Sequence, residues 1–154
     1  EKNIKAAKVH ASENKLNIDY INSNAETLLD WGDKFDVILN MEVIEHVSDV
    51  KTFIESCNSL INPGGMMIVA TLNRTIKSLA FAVVGAEYIL KWLPKGTHDW
   101  NKFIKPSELR NICSNSGFTL QEYKGMTYSP LKNQWRITND LSINYIGYLS
   151  KDNN

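Results

Sequence analysis

An α/β fold whose strands pair in parallel is what this sequence predicts, on three observations. Phe35–Asn40 (FDVILN) carries three consecutive branched aliphatics, the pattern of a strand buried on both faces. Val50, Phe53, Ile54, Cys57, Leu60 and Ile61 then recur at helical spacing behind Ser48, a residue suited to cap a helix. That helix stops at Asn62-Pro63-Gly64-Gly65, and Met66–Thr71 (MMIVAT) supplies a second buried strand. Strand, helix, strand in this rhythm reads as a right-handed crossover within a parallel sheet.

The remaining elements follow in chain order. The opening EKNIKAAKVHA is helical, with Ile4, Ala7, Val9 and Ala11 apolar and Lys2, Lys5 and Lys8 spaced by three. Asn17–Asn22 (NIDYIN) alternates apolar and polar residues, a short strand, and a short helix around Ala25–Leu29 follows. Arg74–Leu93 reads as one or two helices containing LAFAVVGAEYILKWL. Those 15 residues fall short of the roughly 20 needed to cross a bilayer. Lys77, Lys91 and Lys95 flank them, and Tyr88 and Trp92 favour membrane interfaces. A helix covering the sheet, a helix lying on lipid and a lining for an apolar pocket all fit this segment. Pro106 ends the preceding extension and Ser107 caps a helix through Leu109, Ile112 and Cys113, closed by Gly117. Phe118–Gly125 and Ile143–Leu149 are the final strands, joined by a long loop holding Tyr128, Pro130 and Trp135.

A chain of 154 residues has room for one domain, expected over 1–150 with a polar tail at 151–154. Its opening helix has no lead-in and starts at Glu1, which suggests a sequence that begins inside a larger protein, although a trimmed tag or a processed terminus would look the same. A hydrophobic fraction of 43% and a charged fraction of 22% exclude disorder, collagen and coiled coil. The net charge of +0 argues against nucleic acid as a partner. That zero conceals a net of −5 over Glu1–Leu60 and of +4 over Arg74–Lys105, so the two regions can face different partners. Cys57 and Cys113 make neither a CxxC pair nor a four-ligand zinc site, as expected in a reducing compartment.

Ligands of open parallel sheets collect at the carboxyl ends of the strands, which singles out three loops. Ser23-Asn24-Ala25-Glu26 could offer a polar side chain to a nucleoside base or simply start a helix. In Met41-Glu42-Val43-Ile44-Glu45-His46, a helical backbone would set Glu42, Glu45 and His46 on one face. Such a set could bind a divalent ion, act as acid-base groups, or be an exposed acidic turn. Thr71-Leu72-Asn73-Arg74 is the third loop, and His98 beside Asp99 offers a titratable base further on. No GxGxxG, P-loop, GxSxG or HExxH pattern occurs, which removes most support for phosphate-loop nucleotide chemistry and for hydrolytic nucleophiles.

Taken together, FDVILNMEVIEHV, NPGGMMIVATLNRT and VGAEYILKWLPKGTHDWNKFIKP closely resemble the ubiquinone-biosynthesis O-methyltransferases, in order from Glu1 to about Tyr148. The resemblance implies a class I methyltransferase (Rossmann-like) sheet, mostly parallel with an antiparallel final strand, lacking its first strand-helix-strand unit. A missing unit of that kind is at least about 30 residues, and it would carry the glycine-rich cofactor loop. This chain alone is therefore expected to be inactive and poorly stable. The implied reaction is S-adenosylmethionine-dependent methylation of catechol-type hydroxyls on 2-polyprenyl-6-hydroxyphenol and 3-demethylubiquinol. Met41, Ala25 and Glu26 are implied to contact the cofactor. Glu42, Glu45 and His46 are implied to hold Mg2+ or another divalent cation, with Glu45 and His98 catalytic. The segment at about 74–97 resembles the family's membrane- or substrate-associated insertion. A polyprenylated phenol or quinol, an anionic lipid surface and other ubiquinone-biosynthesis enzymes are the implied partners. The implied location is cytoplasmic, peripheral at the inner membrane face, or the matrix side in a mitochondrion. A non-catalytic lipid-surface module, or a class I methyltransferase with another small acceptor, are the alternatives.

Overall fold

A computed structural model describes residues 2–80, 99–129 and 132–152. They divide into two compact units, Glu1–Asp33 and Lys34–Asn154.

In the first unit, α1 (Lys2–Glu13) runs where the apolar spacing places it, and α2 (Ala25–Leu28) passes into a 3-10 turn at Leu29–Trp31. Asn24 caps α2, its side-chain oxygen accepting from the Thr27 amide at 2.8 Å. Asn17–Asn22 is not a strand, contrary to its alternating pattern. Alternation prepares a segment for a ladder but cannot replace a hydrogen-bonded neighbour, and no described residue pairs with this one. Leu16, Ile18 and Ile21 stay about half exposed as a result.

The second unit is a sheet of five strands. β1 (Phe35–Met41) leads through α3 (Val50–Leu60) to β2 (Ile61–Leu72) and the single turn of α4 (Ile76–Ser78). After the undescribed stretch come α5 (Pro106–Asn115), β3 (Phe118–Ser129), β4 (Gln134–Thr138) and β5 (Asn144–Lys151). Spatial order is β1-β2-β5-β3-β4. β1 and β2 are parallel around the α3 crossover, with Leu39 opposite Ile68 and Met41 opposite Ala70. β5 lies antiparallel between β2 and β3. The final strand is thus antiparallel as expected, but only the β1–β2 pairing among the described residues is parallel. Strands joined by tight connections, as β3 and β4 are, must run antiparallel.

Several boundaries differ from the sequence reading for local reasons. Asp49, not Ser48, caps α3, accepting from the Thr52 amide at 3.0 Å. The backbone turns extended at Ile61, and Asn62–Gly65 bulges between two stretches of register with β1. Pro106 opens α5 instead of ending the segment before it, because a missing amide costs nothing at the first helical position. The Glu108 side chain reaches back to the Lys105 amide at 3.1 Å. Gly117 ends that helix in the left-handed region, φ +79°, where a side chain would be strained. The loop expected around Tyr128 and Trp135 is largely a hairpin, β3 continuing to Ser129 and β4 pairing with it.

The two sheet faces are unequal. On one, Met67, Val69, Tyr145 and Leu149 meet Ile54 and Cys57 of α3 and Leu109 and Cys113 of α5 in a continuous core. Burial pushes the Cys113 thiol up to about 12, so it is an inert packing group. On the other face stand Phe35, Val37, Leu39 and Met41, all at least 40% exposed. The expectation that β1 is buried on both faces fails here. Register carries this open face across Ile68 and Tyr148 to Glu122, and then along β3 to Tyr128.

Candidate active site

The carboxyl ends of β1 and β2 lie side by side, and the polar residues there are unusually short of partners. Asn40 is 2% exposed, and neither its amide oxygen nor its nitrogen has a hydrogen-bond partner among the described residues. Glu45 is 3% exposed; its Oε2 accepts from Thr71 Oγ1 at 2.8 Å while Oε1 has no partner among the described residues. Buried orphan atoms of this kind are costly to keep and mark positions where a ligand or a reaction needs them.

Beyond Met41 the chain forms a tight turn, not the helix that the spacing of Glu42, Glu45 and His46 assumes. The Glu42 amide extends the parallel ladder by donating to the Ala70 carbonyl at 2.8 Å, with Glu42 in the left-handed region at φ +53°. The His46 amide closes the turn on the Val43 carbonyl at 2.9 Å. Ile44 and Glu45 are both buried within it, and His46 faces solvent. Glu42 and Glu45 are neighbours: desolvation first, then the nearby Glu45 carboxyl, push the Glu42 carboxyl up to about 7. A carboxyl with that value can hold or release a proton near neutrality, although much of the Glu42 side chain is exposed.

The cation site anticipated from Glu42, Glu45 and His46 is not assembled. No group of three His, Cys, Asp or Glu side chains converges for a metal among the described residues. Two neighbouring carboxyls are arranged to hold a proton between them, and His46 faces solvent. No metal-assisted step is derived.

The other expected residues are placed as follows. Met41 ends β1 on the open face, 45% exposed. Ala25 and Glu26 open α2 in the first unit. His98, and with it most of the insertion expected at about 74–97, lies outside the described residues. The Asp99 carboxylate accepts from the Asn101 amide at 3.0 Å and so caps a turn. In the third loop Arg74 ion-pairs with Glu108, and Asn73 Nδ2 donates to the Leu141 carbonyl at 2.8 Å. Sequence reading gave Thr71 no role of its own. The signal was its place: a hydroxyl residue buried at a strand's carboxyl end, next to the strand that bears Glu45's loop.

A parallel strand-helix-strand in a mixed sheet, with two carboxyl groups just after β1 and the Thr71 hydroxyl at the end of β2, makes an α/β site at the strands' carboxyl ends, and comparison with known proteins defines its class. A family model described as "Methyltransferase domain" matches residues 2–123, and the chain belongs to that family. Among curated proteins, "Ubiquinone biosynthesis O-methyltransferase" of Bartonella tribocorum is 53% identical over 94% of this chain and 58% of its own length. The protein of that name from Pelagibacter ubique is 55% identical over 95% of this chain and 60% of its own. The chain thus spans about three-fifths of the length of the curated relatives it matches. Among solved structures, a Pyrococcus horikoshii protein superposes with a TM-score of 0.65 at 15% identity, covering 99% of this chain and 68% of the other. A Thermotoga maritima "SAM-dependent methyltransferase, possible histamine N-methyltransferase" superposes at 0.53 and 14% identity, over 78% and 57% of the two chains. These likenesses show the fold.

Proposed function

We propose that the chain carries the acceptor side of an S-adenosylmethionine-dependent O-methyltransferase of ubiquinone biosynthesis. Its acceptors are catechol-type hydroxyls of polyprenylated rings such as 2-polyprenyl-6-hydroxyphenol and 3-demethylubiquinol. The relatives' names support the pathway. The family model, which runs from α1 into β3, includes residues of both units. The observation that carries the chemistry is the Glu42–Glu45 pair, anchored by Thr71 at the carboxyl ends of β1 and β2.

When bound, S-adenosylmethionine supplies an electrophilic methyl group. Met41 offers the cofactor an exposed thioether and alkyl surface at the end of β1; Ala25 and Glu26, at the start of α2, are cofactor contacts by sequence alone. The substrate hydroxyl would give its proton to the Glu42–Glu45 pair as its oxygen takes the methyl carbon, the carbon–sulfonium bond breaking and its electron pair leaving with the neutral thioether. Glu45 does the orienting, since Thr71 fixes one carboxylate oxygen and leaves the other unpartnered. His98 is a second candidate base by sequence. A long isoprenoid tail fits a reaction at a membrane surface, with the segment at about 74–97 as the contact and the enzyme peripheral.

The test is methyl transfer to a demethylated quinol, by this chain alone and joined to the unmatched part of the Pelagibacter ubique relative. Turnover is expected from the joined protein, and Glu45→Gln should lower its kcat about a hundredfold while cofactor affinity changes less than about twofold. A Glu45→Gln rate equal to the parent's removes the carboxylate proposal.

A further inference from the structure

The β3–β4 hairpin has no part in the chemistry above, yet it stands at the same end of the sheet. β1 and β2 are parallel, and β5 runs antiparallel to both β2 and β3, so β3 points its carboxyl end where β1 and β2 point theirs. Leu72 lies opposite Asn144 at that rim, and the Met126 amide donates to Asn144 Oδ1 at 2.8 Å. Tyr128, further along the same strand, therefore stands roughly 7 Å beyond the rim. Across the hairpin Tyr128 pairs with Trp135 and Met126 with Ile137, which sets these four on one face. The Tyr128 and Trp135 rings are 5.3 Å apart between centroids. This plate continues the open side of the sheet, on which Met41 ends β1. Among the described residues nothing covers it: Trp135 is 68% exposed and Ile137 74%.

Position and chemistry select the occupant. The plate itself carries no charge, since Arg136 opposite Thr127 and Gln134 opposite Ser129 lie on the other face of the hairpin. Two aromatic rings, a thioether and a branched aliphatic suit a methyl-branched hydrocarbon chain. A second copy is disfavoured. Two-fold pairing of the outer β4 edges about Arg136, the middle of the strand, would set two guanidinium groups directly opposite each other. We propose that Met126, Tyr128, Trp135 and Ile137 form a subsite for the isoprene units of the acceptor that lie close to its reacting ring. The subsite rests on the acceptor chemistry proposed above and adds the residues that distinguish a long-tailed ring from a bare one. β1 and β3 are three strand spacings apart, about 14 Å. An isoprene unit has four backbone carbons and adds roughly 5 Å of length at about 1.5 Å per bond. A ring held at Glu42 and Glu45 thus brings roughly its second and third units to the plate.

Catechol, prenylcatechol and farnesylcatechol are the probes, in titrations of the full chain followed by equilibrium dialysis and by tryptophan emission. Prenylcatechol, too short to reach the hairpin, should bind like catechol, and farnesylcatechol about tenfold more tightly. Trp135→Ser with Ile137→Ser should remove that tenfold advantage. Farnesylcatechol should also change a share of the parent's emission that Trp135→Phe, a conservative substitution, no longer shows while dialysis still finds the probe bound. In the protein joined to the unmatched part of the Pelagibacter ubique relative, the double variant should raise the KM for farnesylcatechol about tenfold, the change falling on KM and not on kcat. Equal affinity of the parent for catechol and farnesylcatechol overturns the proposal, as does an advantage already complete with prenylcatechol or one that the double variant retains. So does a parent dimer that the double variant makes monomeric with farnesylcatechol binding unchanged, since the occupant is then a second copy. Shielding of Trp135 from acrylamide by the added length, again with binding unchanged, overturns it too. Methyl transfer absent with the dialysis discrimination intact would break the reaction proposed above and leave the subsite standing.

Discussion

The two faces of one sheet make opposite use of similar residues. Met67, Val69 and Leu149 on one face are fully buried under α3 and α5, whereas Val37, Leu39 and Met41 on the other are 45% to 65% exposed. Composition does not separate them; cover does. Strands of a parallel crossover normally have layers on both sides, and the second unit supplies one layer from its own helices. The apolar character of the open face therefore records a requirement that the described residues of the second unit do not meet by themselves. The carboxyl pair straddles the same border: Glu45 is buried and held by Thr71, while Glu42 beside it is only partly covered.

The largest expected effect lies on the covered face. Leu109 is 0% exposed in the core between α5 and the sheet, and Leu109→Ala should cost about 3 kcal/mol in lost burial and residual cavity. Urea unfolding followed by circular dichroism measures it. A loss below about 1 kcal/mol would mean that this face is loosely packed and the contrast between faces illusory. A smaller effect belongs to the border. The folded value of about 7 for Glu42 stands above the ordinary 4.5, so the folded state holds the proton more tightly than the unfolded chain. The contribution to stability is therefore complete below pH 4.5 and is lost as pH rises through about 7. Glu42→Gln should flatten the dependence of the unfolding midpoint between pH 5 and 8. An unchanged slope would separate Glu42 from Glu45.

How far the sequence revealed this depends on how many partners each element needs. α1, α3 and α5 are legible because one strip of apolar residues defines a helix within its own length. β1 and β2 are legible from their aliphatic runs, since Ile38 and Val69 identify a sheet interior whatever lies beside them. Asn17–Asn22 and β4 fail in opposite directions for one reason. A strand's existence is decided by its neighbour, and β3 continues far enough to pair with Gln134–Thr138 while no described strand meets NIDYIN. The site failed at a single residue. Reading Glu42, Glu45 and His46 as a helical face overlooked that Ile44 must also be buried, and the turn that buries it sends His46 outward. The carboxyl pair survives that change because Glu45 is placed by Thr71, a contact between residues far apart in sequence.

The smallest expected effect sharpens the contrast most. Leu39 is 65% exposed at the centre of β1, on the open face. If that face is bare in solution, Leu39→Ser removes little buried area, and stability of the chain should change by no more than about 0.5 kcal/mol. Joined to the unmatched part of a relative, the same substitution should become costly, because a cover that seats on β1 turns the exposed leucine into a core leucine worth about 2 to 3 kcal/mol. The pair of urea titrations, with and without the added length, reads the difference directly. A large loss in the chain alone would show that Leu39 is already covered there. Equal small losses in both would show that the added length seats elsewhere, and the open face of β1 would then need another explanation for its four apolar residues, Phe35, Val37, Leu39 and Met41.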